Sequence, residues 1–247
     1  IVPAFTFVST ANAFALRGAR IRFADIRPDT LCIDPSSVDA LLSDRTRAIV
    51  PVHYAGVGCD MAALSASAGS VGATIVEDNA HGLFGRFADR PLGGFGAMST
   101  LSFHETKNIS AGEGGALVIN DPELVHRAEI AREKGTNRSA FYRGQVDKYT
   151  WVGLGSSWLP SEFTAAVLVA ALENADVTQA ARHRIWNSYR DDLAGWASAQ
   201  GVRLPVVPPG CEPPAHLFHL LLPVLESRTR LITQLADRGV QAVFHYV

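Results

Sequence analysis

Lys107 is the residue whose type and setting most directly invite chemistry. It closes the stretch Met98-Ser-Thr-Leu-Ser-Phe-His-Glu-Thr-Lys107, in which residues 98–103 read as a short buried strand that breaks into a polar loop. Asn108-Ile-Ser-Ala-Gly-Glu-Gly-Gly115 then adds a glycine cluster. A lysine at a strand end beside an apolar interior is partly desolvated, which lowers its pKa and frees the amine to attack a carbonyl. That is what a Schiff-base lysine requires. The ordinary alternative is a solvated surface charge, so its partners decide.

Asp78 is the first of these. Val76-Glu77-Asp78 puts a carboxylate at the end of a second buried strand, where an unpaired charge is expensive. It needs a cationic or donor partner, and a protonated pyridine nitrogen is one; in pyridoxal phosphate enzymes that contact keeps the ring an electron sink. His81 is placed to hydrogen-bond a ring oxygen, Ser102 to offer a hydroxyl to a phosphate, and Phe7 to stack on a flat ring. Each has a plainer alternative. Asp78 could cap the next turn, His81 could be satisfied within its loop, Ser102 could bond the backbone, and Phe7 could fill the core.

Bringing these residues to one rim requires strands that run the same way. Strand-like segments at 1–7, 20–26, 47–52 and 73–77 alternate with helical ones at 11–16, 34–42 and 60–70. Ser9-Thr10 offers N-cap hydroxyls to the first helix, Asp34-Pro35 opens the second, and Asp60 caps the third. Such alternation argues for an α/β, three-layer domain with a mostly parallel sheet, because parallel neighbours need crossover helices. Ligands then bind outside the carboxyl ends of the strands, where residues 78–81 and 104–107 fall.

Residues 82–96, rich in glycine and carrying Phe84, Phe87 and Phe95, suggest a hairpin pinned by aromatics. A strand at 116–119 and a helix from Asp121-Pro122 to Lys134 follow, and the pattern is then lost from 136 to 158 in a polar, aromatic excursion suited to a functional or subunit-contacting loop. Helices are expected from Ser161-Glu162 to 172 and over 178–196. The proline-rich run at 205–214 reads as a linker, and a strand at 217–222, a helix at 228–238 and a strand at 240–244 read as a small α+β unit. The division expected is a large α/β domain at 1–175 and a linking helix with an incomplete C-terminal domain at 176–247.

Composition narrows the partners. With 22 basic against 24 acidic residues, nothing favours nucleic acid or an anionic membrane. Three well-separated cysteines fit free thiols in a reducing compartment, and there is no signal peptide or apolar run long enough to span a bilayer. The expectation is a cytoplasmic protein. The opening at Ile1 and the stop at Val247, both in mid-pattern, suggest a chain cut at both ends.

Taken together, Glu77-Asp-Asn-Ala-His81, Ser102-Phe-His-Glu-Thr-Lys-Asn108 and Gly112-Glu-Gly-Gly115 resemble the signature series of the fold-type-I pyridoxal phosphate aminotransferases that act on nucleotide-linked keto-sugars. Arg132-Glu-Lys-Gly-Thr-Asn-Arg-Ser139, Gly144-Gln-Val-Asp-Lys-Tyr-Thr-Trp151 and Gly155-Ser-Ser-Trp-Leu-Pro-Ser-Glu162 are similar to the branch that aminates thymidine-diphosphate-4-keto-6-deoxyglucose for enterobacterial common antigen. The resemblance covers essentially the whole chain. It implies pyridoxal 5'-phosphate on Lys107, Asp78 on the pyridine nitrogen, His81 on the ring oxygen, Ser102 on the phosphate and Phe7 over the ring. Where the family often has an asparagine that reaches the neighbouring subunit's phosphate, this chain has Ser157. A homodimer is implied, with a nucleotide-sugar substrate and glutamate as amino donor. The family's phosphate cup also includes a Gly-Thr or Ser segment at a helix N-terminus ahead of this chain's start, and His245-Tyr246 resembles the opening of a substrate-contacting motif.

Other classes fit less well. His53, Cys59 and Asp60 have no recognised metal-ligand spacing, so no metal is expected, and no Gly-x-Gly-x-x-Gly turn follows the first strand as a dehydrogenase needs. The remaining alternative is a non-catalytic fragment of the fold whose helical face at 161–172 serves only in subunit association. Arg138, Arg143 and Lys148 are candidates for a diphosphate.

Overall fold

A computed structural model describes residues 1–246 of the chain. Strand and helix alternate as expected: β1 (Val2–Pro3), α1 (Val8–Ala15), β2 (Phe23–Ala24), α2 (Pro35–Leu41), β3 (Ala48–Ile49), a 3-10 turn (Tyr54–Gly56), α3 (Met61–Val71) and β4 (Thr74–Asp78). A hairpin of β5 (Arg86–Phe87) and β6 (Arg90–Pro91) precedes β7 (Met98–Ser102), β8 (Gly115–Ile119), α4 (Val125–Arg132) and α5 (Arg138–Tyr142). Then come α6 (Glu162–Glu173), the long α7 (Ala175–Gln200), β9 (Cys211–Glu212) and α8 (Leu225–Ala236).

Local chemistry sets the helix starts. Asp34 accepts from the Ser36 amide with Pro35 in the first turn, Asp60 accepts from Ala63, and Ser161 accepts from Thr164. Gly72 and Gly201 close α3 and α7 in the left-handed conformation, which glycine adopts without steric cost.

The sheet is mixed and mostly parallel, the α/β class expected. β1 pairs with β2, β3 with β4, and β4 with β7, all parallel; β8 returns antiparallel to β7 over five residue pairs. Val50 donates to the Ile1 carbonyl at 2.9 Å, linking β1 to the chain just beyond β3. The order is thus β2-β1-β3-β4-β7-β8, which sets the ends of β4 and β7 side by side. Val38 of α2, Leu64 and Ala68 of α3, Ile49 of β3 and Ile75 of β4 share one buried cluster beneath this rim. Cys32, Cys59 and Cys211 are buried free thiols. Among the described residues no helix is long and apolar enough to cross a membrane.

Several local expectations are corrected. Ser9 and Thr10 lie inside α1, whose N-cap is Phe7, so neither hydroxyl caps it. β2 covers only two of the residues in 20–26, with Ile26 making one isolated bridge to Ile33. The proline-rich run is not a bare linker: Cys211–Glu212 adds an antiparallel edge strand to β5, a position proline neighbours tolerate. No strand forms at 217–222 or 240–244. Leu221 makes a single bridge with Arg203, because an apolar run becomes a strand only where a ladder partner exists.

Candidate active site

Asp78 is the last residue of β4 and is gripped on both sides by the sheet. Its amide donates to the Pro51 carbonyl at 2.9 Å, its carbonyl accepts from the His53 amide at 3.2 Å, and Asn79 donates to Thr100 at 3.0 Å. The carboxylate is braced in turn: Thr10 Oγ1 donates to Oδ2 at 2.6 Å, and the Ala80 amide donates to Oδ1 at 3.1 Å. Since the Thr10 proton goes to Asp78, the contact of 2.7 Å with Thr6 is donated by Thr6. Lone pairs remain on the carboxylate for a donor outside the chain.

Lys107 lies on the adjacent rim, in the loop after β7, where its amide donates to the His104 carbonyl at 2.9 Å. It is half-buried. Burial lowers its pKa from the ordinary lysine value, and the negative charge of Asp78 pulls the other way. Among the described residues Nζ has no hydrogen-bond or ion-pair partner. The amine is therefore partly desolvated and without a partner among these residues.

His81 is buried, and its Nδ1 accepts from the Ala55 amide at 3.2 Å. Ala55 has φ of 55°, a left-handed conformation within the 3-10 turn. Accepting at Nδ1 leaves Nε2 to carry the proton of a neutral ring. Burial holds the pKa of His81 well below the usual histidine range, with His216, Lys107 and His245 adding to the effect.

Ser102 ends β7, half-buried, with its Oγ accepting from the His104 amide at 3.4 Å, so its proton is available elsewhere. Phe7 is not a core residue: it is 59% exposed at the start of α1, with its ring 6.5 Å from that of Tyr246. Ser157 is exposed and bridged to Glu133; among the described residues no hydrogen bond joins it to Asp78, Lys107 or Ser102. Arg143 forms a two-pronged pair with Glu129 at 2.7 Å, and Arg138 binds the Tyr142 hydroxyl. Both guanidinium groups are thus engaged within the chain.

A second wall was not singled out as such in the sequence. Tyr54 lies 5.5 Å from His81 and 5.8 Å from His219, and its hydroxyl meets His245 Nδ1 at 3.1 Å. The His216 ring lies 4.5 Å from that of His81 and tilted to it, and Tyr246 packs 5.0 Å from Phe5. Burial depresses His216 to about 3 and His219 to about 4, and it raises Tyr246 to about 12. This wall is therefore uncharged at neutral pH. His81 in the first half of the chain and His216, His219 and His245 near its end were the available signal, but their convergence depends on long-range packing.

The donor set suits pyridoxal 5'-phosphate. A braced carboxylate, an amine without a partner among the described residues, an imidazole N–H and a hydroxyl with a spare proton lie at or just beyond the carboxyl ends of β4 and β7, and the exposed Phe7 ring follows β1.

Comparison with known proteins agrees. The profile of the DegT/DnrJ/EryC1/StrS aminotransferase family matches residues 1–247. Spore coat polysaccharide biosynthesis protein SpsC of Bacillus subtilis is 32% identical over 254 residues, which span all of this chain and 64% of that protein. Among solved structures, DesV of S. venezuelae is 33% identical, with a TM-score of 0.86 over 99% of this chain and 63% of its own. The aminotransferase TlmJ from Streptoalloteichus hindustanus is 29% identical, with a TM-score of 0.86 over 99% of this chain and 64% of its own. The chain thus spans less than two thirds of the length of these relatives. From end to end of its 247 residues, it belongs to the DegT/DnrJ/EryC1/StrS aminotransferase family.

Proposed function

We propose that the chain carries the cofactor-binding site of a pyridoxal-phosphate-dependent sugar-nucleotide aminotransferase. The observation that carries this reading is Lys107, half-buried and unpartnered, beside the braced carboxylate of Asp78. The sequence has three lysines, and the other two, Lys134 and Lys148, are exposed. Bound there, the cofactor supplies an electron sink for the carbanion left when an α-proton departs. Asp78 accepts the hydrogen bond of the ring nitrogen and keeps it protonated, and His81 donates from Nε2 to the ring oxygen. Ser102 donates to the phosphate, Phe7 covers the ring, and Ser157 meets the phosphate of a neighbouring subunit. Lys107 Nζ would hold the cofactor and would serve as the base for the α-proton of the amino donor.

The substrate we assign is a thymidine-diphosphate-linked 4-keto-6-deoxyglucose, converted to 4-amino-4,6-dideoxygalactose with glutamate as donor. The motifs quoted above support it, as does the polysaccharide role in the name of the Bacillus relative. The test is a half-reaction: protein loaded with pyridoxamine phosphate is mixed with a panel of nucleotide keto-sugars. Turnover of the 4-keto sugar is expected, and turnover of none removes the assignment.

The assembly we assign is a homodimer, and the domain division falls at 1–175 and 176–247. Phe163 of α6 is 88% exposed, Val177 of α7 73% and Trp158 69%, large apolar side chains that a second copy of the chain would cover. Sedimentation at micromolar concentration should give a dimer, and a strictly monomeric protein would contradict it.

A further inference from the structure

The lysine loop is fastened by the residue next to the lysine. Asn108 Nδ2 donates to the Pro214 carbonyl at 2.8 Å and to Gln179 Oε1 of α7 at 3.1 Å. Gln179 Nε2 donates to the same carbonyl at 3.0 Å. A proline carbonyl can only accept, so it fixes which end of each amide is the nitrogen. Asn108 Oδ1 is therefore the acceptor facing His216, and His216 Nδ1, 2.8 Å away, must carry a proton and donate to it.

The tautomer is thereby set. His216 stays neutral because it is largely withdrawn from solvent and faces the charges of Lys107 and Arg182 as well as His245. Its Nε2 is a bare lone pair, whereas the neighbouring ring of His81, tilted 41° to it, accepts at Nδ1 and carries its proton on Nε2. The backbone around the network is built to hold it. Ala215, between Pro214 and His216, has φ of 50°, a left-handed conformation that is strained for an alanine and persists where surrounding contacts over-determine it. Gly56, at φ of 81°, has no side chain where Pro214 packs; a Cβ there would collide with the proline ring.

We propose that Asn108 and His216 are positioning residues for Lys107: His216, protonated on Nδ1, holds the Asn108 amide, which fastens the lysine loop to α7 and to the segment at Pro214. The proposal rests on the reading of Lys107 as the reactive amine, but its test needs no cofactor. The apo protein is compared with Asn108→Ala, His216→Leu, which removes the donor, and His216→Asn, which keeps an amide nitrogen near the Nδ1 position. Loop 104–112 is followed by hydrogen exchange, and the Lys107 pKa by the pH dependence of competitive acetylation, with Lys134 and Lys148 as internal references.

His216→Leu should open the loop about tenfold more often, the loss of one partly buried hydrogen bond. Asn108→Ala, which removes three, should open it at least as often, and both should return the Lys107 pKa toward its ordinary value. His216→Asn should stay near wild type. Wild-type exchange and pKa in His216→Leu, or a His216→Asn as defective as His216→Leu, overturns the proposal. If Asn108→Ala does not fold, the two His216 variants still decide. Failure of the transaminase reading looks different: no cofactor adduct at Lys107 in a loop that remains ordered.

Discussion

Thr10 and Asp78, 68 residues apart, are joined by a hydrogen bond of 2.6 Å from the threonine hydroxyl to Oδ2 of the aspartate. Helix α1 thereby aims the carboxylate at the end of β4, with Thr6 in turn donating to Thr10. A carboxylate held at both oxygens presents its remaining lone pairs in one direction, as recognition of a ring N–H requires. Thr10→Val keeps the branched shape and deletes the donor. Pyridoxal phosphate should bind about tenfold more weakly, in keeping with one charge-assisted hydrogen bond, when apo protein is titrated and followed by absorbance. Unchanged affinity would show that Asp78 needs no brace.

Glu77, fully buried beside Asp78, anchors the other side of the rim. Its carboxylate accepts from the amides of Gly93, Phe95 and Gly96 at 2.9, 2.7 and 2.6 Å, and from His53 at 2.8 Å. His53 Nδ1 accepts from the Cys59 amide, so its proton sits on Nε2 and the contact is a hydrogen bond from a neutral ring rather than a full ion pair. Burial alone would raise the Glu77 carboxyl, but His53 and the Gly96 and Phe95 amides outweigh it and hold it below the ordinary value. Glu77→Gln turns an amide group toward these donors and should destabilise the fold by about 3 kcal/mol in urea titration. A loss near zero would mean that the turn at 93–96 is held by something else.

His219 gives a signature in acid. Both ring nitrogens are buried and have no hydrogen-bond partner among the described residues, and burial, aided by His245, lowers its pKa from 6.5 to about 4. The unfolded chain therefore binds the extra proton between those values, so stability falls as pH drops through 6.5 toward 4 and is unaffected by this group at higher pH. His219→Phe should reduce the proton uptake on unfolding in that window by about one proton, measured from the pH dependence of the urea midpoint. An unchanged slope would place the titration on other groups.

Much of the scaffold was legible because its signals are local. Asp34-Pro35, Asp60 and Ser161 cap helices as their types dictate, and the apolar runs ending at Asp78 and Ser102 became paired strands. Lys107 and Asp78 could be placed on one rim because parallel strands share a carboxyl edge. What escaped depends on distant partners. Thr10 reads as a cap until β4 supplies an acceptor, and residues 217–222 and 240–244 read as strands although no ladder forms beside them. His216 follows a proline-rich run that suggests a tether, and only the positions of Asn108 and Gln179 show that this run docks on the lysine loop.

The most direct test of the central claim is borohydride reduction of the protein after addition of pyridoxal phosphate, followed by peptide mass mapping. With only Lys107, Lys134 and Lys148 to choose from, the label should saturate at one equivalent on Lys107, and Lys107→Ala should fold but take up none. Label distributed over Lys134 and Lys148, or undiminished in Lys107→Ala, would contradict it.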